Sequence, residues 1–65
     1  MTDAPPTMTR AQRAALRRAL RAECANRGTT SMDPRTGRKV GDLPLADLWA
    51  LAGHMGLDRP AILAA

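Results

Sequence analysis

From Thr9 to Arg27, in the stretch "TRAQRAALRRALRAECANR", apolar and charged positions recur at helical spacing. Thr9 followed by Gln12 matches a capping box, and Gly28 is a natural stop, so a helix is predicted over 9–27. At about 100° per residue, Arg10, Arg13, Arg17 and Arg21 fall within an arc of about 80°, which Arg18 widens to about 140°. Met8, Ala11, Ala15, Leu16, Ala19 and Ala22 are expected opposite, with Leu20 and Cys24 at the border. Alanines bury little area, so Leu16 and Leu20 should carry most of the packing.

The pattern breaks at "TTSMDPRTGRKVGD". Pro34 presets φ for the second place of a turn, Asp33 suits the first, and Gly37 supplies a left-handed residue. A short β-hairpin is therefore expected, with Thr30–Met32 pairing with Arg38–Val40 and Arg35 at its tip. Helical spacing returns in "DLPLADLWALAGHMGL". Asp42 is the expected N-cap, Pro44 suits the first turn, and Gly56-Leu57 reads as a Schellman ending. Leu45, Leu48, Trp49, Leu51, Ala52 and Met55 share one face, with Asp47 and His54 on the other. Asp58 then caps a short last helix through Pro60, Ile62 and Leu63.

The expected fold class is thus mostly α, a small three-helix domain with a short β-hairpin between helix 1 and helix 2. One domain spans 1–65: a flexible tail (1–8), a basic amphipathic helix (9–27), a hairpin or loop (28–42) and an apolar helical hairpin (43–65). With 65 residues the core must be thin, and self-association as a homodimer is expected to help cover it.

Charge changes the picture. Residues 10–39 hold nine of the ten basic side chains against Glu23 and Asp33, a net +7, whereas 40–65 set Arg59 against three aspartates, a net −2. Such a split offers a basic face to an anion. Nine of the ten cations are arginine, a bias that, with the abundance of alanine, also fits a GC-rich genome. "MTDAPPTM" lacks the marks of a signal peptide, no apolar run approaches a membrane span, and Cys24 is the only cysteine. Those features set the expectation of a reduced, cytoplasmic protein with no membrane contact.

The run Leu43-Pro44-Leu45-Ala46-Asp47-Leu48, with Leu51-Ala52, Gly56-Leu57 and Ile62-Leu63, resembles the small helix-extended-helix modules at the N-terminus of transcription terminator Rho and, more distantly, SAP-type domains. It covers about a third of the chain. The family carries a longer segment after the Gly-Leu pair and lysines in its second helix, where this chain has only Asp58 and Arg59 before Pro60. The resemblance implies a helical shape and little of the family's binding surface.

Catalysis has no signature here. Cys24 and His54 fit no structural zinc spacing, and "GRKVGD" lacks the context of a phosphate loop. No enzyme activity, cofactor or metal is expected. The remaining chemistry is binding, through Arg10, Arg13, Arg17, Arg18, Arg21, Arg35, Arg38 and Lys39. The first expected partner is nucleic acid, because the guanidinium fork matches phosphate. With Trp49 the only aromatic, duplex or structured RNA is favoured over single strands. The alternative is an interaction module or inhibitor of phage or mobile-element type, docking on an acidic protein or nucleoprotein surface.

Overall fold

The computed structural model describes residues 4–64 and contains three α-helices: α1 (Arg10–Asn26), α2 (Leu45–His54) and α3 (Arg59–Ala64). A 3-10 turn, Val40–Asp42, precedes α2. Helix α1 begins as its sequence requires. The Gln12 N–H donates to Thr9 Oγ1 at 3.1 Å, and the Thr9 N–H donates to Gln12 Oε1 at 2.8 Å. Both longer helices close with Schellman bonds. Thr29 N–H donates to Cys24 O and Gly28 N–H to Ala25 O, and Leu57 N–H donates to Ala52 O and Gly56 N–H to Gly53 O. Asp58 caps α3 by accepting from the Ala61 N–H at 3.2 Å.

The core joins Leu16 and Leu20 of α1 to Val40, Leu43, Leu48, Trp49, Leu51 and Ala52, with Leu45, Met55, Leu57, Ile62 and Leu63 packed around it. Helix α1 lies against α2, α3 and the 3-10 turn. A radius of gyration of 10.9 Å matches the roughly 11 Å of a compact chain this long, so the helices form one packed unit. Met8 also enters the core, closing its end ahead of α1. Of the segment read as a flexible tail, residues 1–3 lie outside the described residues.

Three expectations are corrected. The β-hairpin is absent. Among the described residues there is no strand, and Met32 and Lys39 form a single isolated antiparallel bridge. The turn itself has the expected chemistry: Gly37 adopts φ 74° and its N–H donates to Asp33 O at 2.8 Å. Pairing stops because Val40 is drawn fully into the core and its backbone winds straight into the 3-10 turn. Two three-residue strands without a third have too few bonds to hold against that burial.

Helix α2 starts later than expected, with Pro44 as N-cap, because Asp42 is used up as the last residue of the 3-10 turn. The third correction is the roll of α1. Its fully buried row is Leu16, Leu20 and Cys24, spaced four apart, while Ala11, Ala14, Ala22 and Ala25 are exposed. Burial stabilises in proportion to apolar area, so the leucines set the roll and the alanines turn outward.

Candidate nucleic-acid interface

The roll of α1 decides which arginines remain available. Arg10, Arg13, Arg18 and Arg21 are exposed, and their side chains make no hydrogen bond or ion pair among the described residues. Arg10 and Arg21 are separated by about 16 Å along the axis at 1.5 Å per residue. The exposed alanines between them keep this face low, so a broad anionic surface can approach the guanidinium groups. The only carboxylate of α1, Glu23, is taken by Arg27 at 2.8 Å.

Arg17 departs from the stripe. It lies beside the buried row of Leu16, Leu20 and Cys24, half-buried and with its Nε enclosed without a hydrogen-bond partner, whereas Arg13, on the same side of the helix but one turn nearer its start, stays exposed. Its contribution to an outer binding face is correspondingly small.

Arg21 links the helix to the loop. Its Nη2 lies 2.7 Å from where a Cβ on Gly41 would stand, so the guanidinium covers the 3-10 turn where glycine leaves room. Lys39 is two residues from Gly41 and Arg38 three, within about 11 Å of chain. Both are exposed and free of side-chain partners among the described residues. The structure therefore brings Arg38 and Lys39 to the end of α1 that carries Arg21. Asp42, also exposed, is the one carboxylate on that turn.

Arg35 stays exposed but is paired within the chain. Asp33 is fully buried, and its Oδ1 accepts from the Arg35 backbone N–H at 2.9 Å and from Arg35 Nε at 3.2 Å, while Oδ2 accepts from Nη2 at 3.0 Å. The same guanidinium donates to Asp47 O of α2 at 3.4 Å. The Arg35 hydrogen bond holds the Asp33 carboxyl below its ordinary value against burial, which acts the other way, and the same bond pushes Arg35 up. A charge already compensated in this way is a fastener of the loop to α2.

Sequence reasoning missed two further features. Arg59 lies over the Trp49 ring at 4.4 Å from its centroid and donates to Trp49 O at 3.2 Å. A cleft of about 280 Å³ opens where α1 and α2 end, lined by Cys24, Arg27, Thr29, Thr30, Met32, Pro34, His54 and Met55. The Arg-Pro pair after Asp58 carried no signal for the first, and the second joins segments far apart in sequence. A shallower groove of about 320 Å³ runs between Ala15, Ala19 and Ala22 of α1 and Ile62 of α3, with Arg18 on its edge.

No cluster of three or more His, Cys, Asp or Glu side chains able to hold a metal ion exists among the described residues. No helix of the structure is long and apolar enough to cross a membrane. Comparisons with protein-family models, characterised proteins and solved structures find no match for the chain.

Proposed function

We propose that this chain is a small non-enzymatic protein that binds nucleic acid through its phosphate backbone. The face it uses is formed by Arg10, Arg13, Arg18 and Arg21 of α1, extended by Arg38 and Lys39. The observation that carries this reading is the partition of cations. The arginines with acceptors in reach are fastened, while those on the outer face of α1 have none within the described residues. Guanidinium groups without internal partners meet phosphate in bidentate geometry, and neutralised phosphates release counterions. The face lacks the Asn and Gln forks that read adenine, apart from half-buried Gln12, which caps α1, and Asn26 at its far end. Binding is therefore directed at duplex or structured backbone with little sequence preference.

Fluorescence anisotropy with a duplex DNA and a structured RNA, over a salt series, tests this. Four to six phosphate contacts predict a log-log salt slope of about −4 to −5. Arg18→Gln with Arg21→Gln should flatten the slope by about 2 and weaken binding roughly tenfold at 0.1 M salt. Ala46→Glu with Ala61→Glu changes net charge by the same two units at exposed positions on α2 and α3, and should cost less than threefold. Equal losses from both pairs would mean that bulk charge, with no defined face, accounts for the binding.

A second reading is favoured by the groove between α1 and α3. An acidic protein segment could seat an aliphatic side chain against Ile62 and the alanines while its carboxylates meet Arg18. Such a contact keeps most of its affinity at high salt, because apolar burial is not screened, whereas the phosphate route loses it.

A further inference from the structure

The cleft at the shared end of α1 and α2 gathers an unusual set of donors. Cys24, the only cysteine, and His54, the only histidine, both line it, together with Met32 and Met55, each of which carries a thioether. These residues come from three parts of the chain: the last turn of α1, the loop, and the end of α2 with its cap. We propose that this cleft is a binding site for a soft monovalent metal ion of the copper(I) and silver(I) class, with Cys24, Met32, His54 and Met55 as the donors. The site is independent of the arginine face and does not rest on nucleic-acid binding.

The chemistry selects the metal. Thiolate and thioether sulfur favour copper(I), imidazole is compatible with it, and no carboxylate lines the cleft to favour a harder ion. Zinc(II) prefers four nitrogen, thiolate or carboxylate ligands, which two thioethers do not supply. Methionine has three rotatable bonds and a polarisable sulfur, which suit it to an adaptable ligand role.

Burial is graded as such a site requires. Cys24 is 2% exposed, Met55 is half-buried, and His54 and Met32 are exposed. Met32 is the exposed large apolar side chain of the described residues, at 41%, an orientation that core packing does not explain.

Local electrostatics accommodate a cation. Both longer helices end at the cleft, so the negative ends of their dipoles face it. Arg27 also lines it, but its guanidinium is paired with Glu23 and donates to Met55 O at 2.8 Å. On binding, the Cys24 thiol gives its proton to solvent as the sulfur–metal bond forms, leaving a neutral thiolate–metal(I) unit with no change of oxidation state.

Silver(I) titration followed by methionine methyl NMR tests the proposal. One equivalent should shift the methyl signals of Met32 and Met55 and leave that of Met8, which sits in the core, in place. Copper(I) held under reductant and competed against a chromophoric chelator should show one site, and zinc(II) at the same concentration none. Cys24→Ala should abolish tight copper(I) binding, and Met32→Leu, Met55→Leu and His54→Gln should each weaken it at least fivefold. Met to Leu conserves volume, and unchanged circular dichroism would show that the fold persists. Copper(I) affinity untouched by Met32→Leu or His54→Gln, or methionine signals that do not move, would reduce the site to a lone thiol and overturn the proposal.

Discussion

Replacing Asp33 removes the only fully buried charge among the described residues and should expose how the loop is held. Its carboxylate accepts three hydrogen bonds from Arg35, two of them from the guanidinium, and the Thr36 side chain also helps to hold its pKa down. Breaking an interior ion pair costs about 3–5 kcal/mol when the partner is left stranded. Arg35 is not stranded, because its side chain is 35% exposed and can turn to water, so screening lowers the figure. Asp33→Ala should therefore cost about 2 kcal/mol, the lower end of the range for hydrogen bonds to charged groups. Asp33→Asn keeps the shape and an acceptor for the Arg35 N–H and should cost about 1 kcal/mol.

With a urea slope of about 1 kcal/mol per M for a chain this small, the midpoints should fall by about 2 M and 1 M at neutral pH. The pH dependence follows from the lowered carboxyl. Its stabilisation is complete above the ordinary value of 3.8 and is lost as pH falls through the lower folded-state value. The wild type should therefore lose its advantage over Asp33→Asn in strong acid and keep it undiminished from pH 5 to 8. Urea melts at several pH values would refute this reasoning if Asp33→Ala matched the wild type at neutral pH, or if the gap to Asp33→Asn persisted in strong acid.

Two further substitutions probe the helices. Arg17→Met should raise stability by about 1 kcal/mol, because it removes an enclosed, unpartnered N–H while keeping an apolar stem; a lower urea midpoint would contradict the burial of Nε. Gly56→Ala should lower stability by about 1 kcal/mol through the backbone alone, since φ is 74° and a Cβ would meet nothing within 4 Å; thermal melts giving no loss would show that this cap tolerates a side chain.

Local chemistry was legible wherever a few neighbouring residues decide the outcome. Thr9 with Gln12, Asp33 with Gly37, Gly56 with Leu57 and Asp58 before α3 all act within five residues of chain, and each does what its side chain or backbone allows. The roll of α1 was less legible, because a helical wheel counts Ala22 and Leu20 alike as apolar, whereas packing weighs their areas. The hairpin failed for a similar reason. Turn chemistry specifies how the chain reverses, but strand pairing also depends on what the flanking residues do next, and Val40 is buried in the core. As a result Arg35, expected at an exposed tip, is bound to Asp33, and Arg17, expected on the stripe, is half-buried. Nothing in the spacing of Cys24, Met32, His54 and Met55 announces that they line one cleft, since they come from the end of α1, the loop and the end of α2.

The division between fastened and free arginines has a cause in the backbone. Arg27 reaches Met55 O, Arg35 reaches Asp47 O and Arg59 reaches Trp49 O, and each of these contacts joins two elements. Met55 caps α2, whereas Asp47 and Trp49 lie within it, so in each case the carbonyl accepts from an arginine of a neighbouring segment. Arg10, Arg13 and Arg18 of α1 make no such contact with another element among the described residues. With Glu23 engaged, α1 itself has no other carboxylate to offer. A long helix with a single acid thus leaves Arg10, Arg13, Arg18 and Arg21 without side-chain partners among the described residues. Substituting Ala14 or Ala25 with Glu would supply internal partners one turn from Arg18 and Arg21, and the loss of phosphate affinity that follows would come from capture of those guanidinium groups within the chain.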